Sequence, residues 1–161
     1  MMKQLNNWFD TLNTYADMSP DLAIRREVNQ WTKSRGRRSL SLSEWSRLFS
    51  SSPDDQEVMT FVYQRFSQYS GLDFGRIRPT DRLHADLNLA LVCWFDWVMV
   101  FCDDFEEHFH IDISDRFDED DFETIGGLVG YLSDQVMLSQ PQGSQSRQSH
   151  LRLVKSSADV A

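Results

Sequence analysis

Cysteine is scarce in this chain, with only Cys93 and Cys102 present. Nine residues apart in one apolar stretch, they would lie roughly 13 Å apart on a helix, beyond the reach of a disulfide. Two reduced thiols are the expectation, and they suit a cytoplasmic address. Long hydrophobic runs are missing too. The longest, Leu87 to Cys102, is interrupted by Asn88 and Asp96, so nothing reaches the roughly 18 apolar residues of a membrane span. No charged-then-apolar leader with a small-residue cleavage site opens the sequence, which again points to the cytoplasm. Period-two alternation is absent, as are internal repeats, and this excludes an all-β reading. Basic charge is in short supply: 16 Lys and Arg stand against 25 Asp and Glu, a net charge of -9.

That charge is unevenly spread. Residues 1–50 carry a net +3, residues 51–138 a net -14 and residues 139–161 a net +2. An acidic body repels nucleic-acid phosphate and steers encounters with basic protein surfaces. With 161 residues there is chain for one ordinary domain and its core.

The apolar spacing reads as helix throughout. Trp8, Leu12 and Tyr15 fall at i, i+4 and i+7, and Ile24, Val28 and Trp31 repeat the pattern. Ser19-Pro20-Asp21 offers a cap, a proline and a first-turn acid. Ser41 and Glu44 are spaced for a capping box, with Leu40 and Trp45 outside it as a hydrophobic staple. Ser52-Pro53-Asp54 opens a helix with Val58, Phe61, Val62, Phe66 and Tyr69 on its apolar stripe, and Gly71 stops it. A loop follows to Asp86. A long helix is expected from about Leu89 to Phe109, then a short extended Ile111-Asp112-Ile113-Ser114. A last helix begins after Thr124. From Ser139 the chain is polar and of low complexity, and disorder is expected there. The expected class is all-α, with residues 1–50 as an N-terminal helical extension on a bundle formed by residues 51–138.

From Glu57 to Val136 the sequence resembles the acyl carrier proteins. The matching pieces occur in order: Gly71-Leu72-Asp73, Pro79-Thr80-Asp81-Arg82-Leu83, Asp86-Leu87, Glu106-Glu107-His108-Phe109, Ile111-Asp112-Ile113, and Thr124-Ile125-Gly126-Gly127-Leu128-Val129-Gly130-Tyr131-Leu132. The resemblance implies a small helical bundle whose acidic second helix docks basic patches of partner enzymes, with Asp96, Asp103, Asp104, Glu106 and Glu107 providing that face here. It also implies a serine at the start of the second helix that takes a phosphopantetheine arm. The interval from Asp86 to Phe109 is about four residues longer than is usual in the family. Leu91 falls at the serine position in one register and Phe95 in the other. Independently of any register, no Ser, Thr or Tyr lies between Asp81 and Ile113, so no attachment hydroxyl exists there.

Other constellations are weaker. Asp104, His108, His110 and Asp112 mix helical and alternating spacing and lack the thiols or further histidines of a structural metal site. The acids from Asp112 to Glu123 fail the calcium-loop pattern, because Ser114, Arg116 and Phe117 occupy its third, fifth and sixth positions. Cys93 has apolar neighbours and no sequence-adjacent base, so it reads as structural. The basic Arg35-Gly36-Arg37-Arg38 loop is expected to lie near the acidic second helix and partly cover it. Trp94 and Phe95 are consecutive and cannot both face one core from a helix, so one of them meets something else: the N-terminal helices as cover, or an acyl chain or partner in an apolar groove lined by Val92, Trp94, Phe95 and Val98. The expected function is non-enzymatic: a carrier-like module, needing no cofactor or metal, that binds the basic patch of a protein partner, for instance a fatty-acid or polyketide enzyme. A working carrier or lipid-handling protein with atypical attachment is one alternative, and an acidic immunity or inhibitor protein is another.

Overall fold

The computed structural model describes residues 20–49 and 55–139. The stripe through Trp8, Leu12 and Tyr15, the Ser19 cap, the Ser52-Pro53-Asp54 start and the polar segment from residue 140 lie outside the described residues. Within them the protein is all-α. Six helices follow in order: α1 (Leu22–Ser34), α2 (Leu42–Ser46), α3 (Asp55–Ser70), α4 (Leu89–Val92), α5 (Trp97–Phe109) and α6 (Ile125–Ser139). The only sheet-like pairing among the described residues is a single antiparallel bridge between Arg82 and Thr124.

Local chemistry explains where these helices begin and end. The carboxylate of Asp21 accepts from the amides of Ala23 and Ile24 at the start of α1, so Asp21 takes the cap that spacing gave to Ser19. Ser41 and Glu44 form the full capping box of α2, and both staple residues, Leu40 and Trp45, are buried. Gly71 ends α3 with φ +63° and donates to the Ser67 carbonyl. A side chain there would collide with the Arg25 guanidinium, whose atoms lie 2.8 Å from the Cβ position. Thr124 caps α6 through its hydroxyl, which accepts from Gly127.

The long helix expected from Leu89 to Phe109 is two helices. Cys93 is extended, with φ -91° and ψ 167°, and α5 starts only at Trp97. Continuing α4 would require the Leu91 and Val92 carbonyls to accept from Phe95 and Asp96. Those carbonyls are occupied from elsewhere: Leu91 accepts from the Asp21 amide at 2.8 Å, and Val92 from Arg25 Nη2 at 2.8 Å. The first helix breaks the later one.

The core is aromatic. The helices α3 and α5 run antiparallel, because Phe61 meets Phe101 and Phe105 while Phe66 meets Trp97 and Phe101. Such ring pairs contribute about 0.5–1.5 kcal/mol beyond area burial. α6 also packs on α3. The N-terminal part belongs to the same core: Trp45 is fully buried against Tyr63 and Phe74, and its indole donates to the Ile77 carbonyl.

Candidate functional site

The acids singled out on α5 divide by position. Asp103, Glu106 and Glu107 point to solvent, and none of their side chains makes a hydrogen bond or ion pair among the described residues. Asp104 is turned toward α3, where it accepts from the Tyr69 hydroxyl and lies 3.5 Å from Arg65. Burial first, and then that bond to Asp104, raise the Tyr69 pKa above the usual phenol value. Asp96 is the N-cap of α5 and sits about two turns before Asp103, without a capping bond from its side chain. The exposed face is therefore narrower than the five acids together.

These three carboxylates sit where helix physics disfavours them. Glu106 and Glu107 occupy the last turn of α5, near the negative end of the helix dipole. Asp103 is spaced i, i+3 and i, i+4 from them, so like charges face each other. The only basic group in that turn is His108, and its ring is turned to Glu57 at 3.1 Å and to Phe61.

The same exposed side continues toward the start of the helix. Met99 precedes Asp103 by one helical turn and is 62% exposed; Phe95, Trp94 and Leu91, at the break before α5, are 63%, 53% and 49% exposed. The four residues expected to line a groove do not do so together. Val92 is fully buried and Val98 half-buried, whereas Trp94 and Phe95 stand out into solvent. They escape the core because the chain between α4 and α5 leaves the helical path. The exposure of Leu91 and Met99 leaves no signal in the sequence, since it depends on which sides of the broken helix the rest of the fold covers. Both places where the carrier resemblance would put an attachment serine, Leu91 and Phe95, hold exposed apolar side chains.

The basic loop does not cover this face. Arg37 makes a two-pronged bond to Asp81 at 2.6 and 2.9 Å, Arg38 pairs with Glu44 at 2.7 Å, and the Arg35 guanidinium stacks on Trp31. Arg76 donates to the Arg37 carbonyl and Arg78 to the Arg38 carbonyl, so the loop is tied to residues 76–81. Burial and the neighbouring Arg37, Arg38 and Arg76 hold the Arg78 pKa below its ordinary value. The charge of this loop is met by Asp81 and Glu44, not by the acids of α5.

Neither thiol is activated. Burial pushes Cys93 up to about 12. Burial, with Asp103, Asp112 and Glu119 nearby, pushes Cys102 up to about 11. Among the described residues no three His, Cys, Asp or Glu side chains converge to hold a metal ion, and no helix is long and apolar enough to cross a membrane. A cleft of about 490 Å³ opens between α3, α6 and the residues just after α2, lined by Leu48, Met59, Pro79, Val129, Ser133 and Met137 among others. No protein-family model matches the chain, nor does any curated protein or solved structure.

Proposed function

We propose that this protein is a non-enzymatic, carrier-like interaction module that binds the basic patch of a protein partner through the exposed acids of α5. The observation that carries this reading is the placement of Asp103, Glu106 and Glu107. All three are exposed, with side chains unpartnered among the described residues and mutually repulsive, and Glu106 and Glu107 lie at the unfavourable end of the helix. Charges that weaken a helix and contribute nothing to its packing are well placed to meet opposite charge from outside. The resemblance to acyl carriers supplies the kind of partner, a pathway enzyme with a basic docking patch. The lack of a hydroxyl between Asp81 and Ile113 removes the covalent arm.

A second reading, a lipid-handling protein with atypical attachment, is favoured by the cleft beside Met59 and Val129. Mass measurement on protein from its own host separates the two. The docking reading expects an unmodified mass when denatured, a heavier native assembly, and loss of that assembly in salt or on Glu106→Lys with Glu107→Lys. A denatured mass raised by phosphopantetheine or an acyl chain would establish the carrier instead. A native mass equal to the chain alone would remove support for docking.

A further inference from the structure

We infer that the break between α4 and α5 makes Trp94 and Phe95 the apolar anchor of the docking face, and that the face fits one amphipathic helix with apolar side chains at one end and Lys or Arg at the other. This rests on the docking reading above and adds the partner's chemistry to it. Four large apolar side chains, Leu91, Trp94, Phe95 and Met99, are each about half or more exposed. They lead into the acids: Trp94 and Phe95 stand at the turn just before α5, and on the helix Met99, Asp103 and Glu107 follow one another at i, i+4 spacing, with Glu106 beside them and His110 as the C-cap. From Met99 to Glu107 this ridge is roughly 12 Å long at 1.5 Å per residue. A straight ridge of that kind seats in the groove between side-chain rows of a second helix.

Its chemistry changes once along its length, from apolar to triply acidic. Charge complementarity therefore assigns both the occupant's basic end and its direction. Aromatic side chains held by backbone lose little freedom on binding, and interface energy concentrates on such anchors. The anchor is fixed by α1 through the Asp21 amide and Arg25 Nη2, which hold the Leu91 and Val92 carbonyls.

The test titrates a synthetic helical peptide of about 14 residues, apolar at one end and lysine-rich at the other, into the full chain at low salt. A peptide of the same apolar residues with glutamates in place of lysines is the control. Nuclear magnetic resonance follows the Trp94 indole, the Met99 methyl and the amides of residues 103–107. The inference expects all three regions to shift together with the basic peptide and none with the control. Phe95→Ser, a change at an exposed site, is expected to weaken binding by about tenfold or more. Shifts confined to residues 103–107, with Phe95→Ser without effect, would overturn the anchor and leave docking through the acids intact. No binding of the basic peptide would overturn both. A Met99 signal that moves with protein concentration alone would show a second copy on the face and overturn the inference.

Discussion

Asp81 is one residue whose loss should be felt throughout the N-terminal half. Its side chain is only 4% exposed, against 14% for Arg37. It also accepts from the Arg78 amide at 2.7 Å, while its own carbonyl accepts from Ile125. Removing the charge leaves the Arg37 guanidinium among Arg38, Arg76 and Arg78 with no carboxylate. Breaking a buried pair from one side costs about 3–5 kcal/mol, so Asp81→Asn is expected to lower the urea midpoint sharply without changing the fold class. Glu44 acts on a different axis. The Arg38 guanidinium first, and then the Ser41 amide and hydroxyl, hold its carboxyl down at about 2. A depressed folded-state pKa gives stability that is full above the unfolded value, about 4.3, and is lost as pH falls through the folded value. Glu44→Gln should therefore be less stable than the native chain at neutral pH, and the gap should close between about pH 4.5 and pH 2. A gap that stays constant through acid would show that Glu44 acts through shape alone.

At the scale of elements, two glycines make opposite predictions. A Cβ on Gly75 would lie 2.4 Å from the Leu40 carbonyl oxygen and 2.8 Å from its amide, where two backbone segments cross and neither yields. Overpacking of this kind costs about 1–3 kcal/mol, and Gly75→Ala is expected to fall at the upper end. Gly130 lies inside α6 with nothing within 4 Å of its Cβ position, so Gly130→Ala should stabilise the helix by about 0.5–1 kcal/mol. Thermal unfolding of both variants reads the contrast directly. These elements were largely readable from the sequence where their causes are local. The Ser41–Glu44 box, the Gly71 stop and the Thr124 cap each rest on residues within four positions of the helix end. The break at Cys93–Asp96 was not readable, because its cause is Asp21 and Arg25, about 70 positions away. Apolar spacing through Trp94, Trp97 and Phe101 reports what the side chains favour and is silent about who takes the carbonyls. The same limit governs the site. The resemblance to acyl carriers points to acids on the second helix, while the turning of Asp104 toward Tyr69, the exposure of Met99 and the capture of Arg37 by Asp81 all depend on packing between distant segments.

For the molecule as a whole, the question is whether its acidic charge serves the fold or something outside it, and the two possibilities differ in sign. Residues 51–138 carry a net -14, so self-repulsion weakens the folded state at low salt. If Glu106 and Glu107 belonged to the fold, reversing them would destabilise it. They lie in the last turn of α5, where a positive charge interacts favourably with the helix dipole by about 0.3–1 kcal/mol per residue. Reversal also exchanges repulsion from Asp103 for attraction at i, i+3 and i, i+4. Glu106→Lys with Glu107→Lys is thus expected to raise the thermal midpoint at low ionic strength, with the gain shrinking as salt screens it. The same variant is expected to lose the basic partner. A protein made more stable and less able to bind by one pair of substitutions has kept those carboxylates for recognition, at the expense of its own helix. A fall in the midpoint would instead assign them to the fold and remove the observation on which docking through α5 rests.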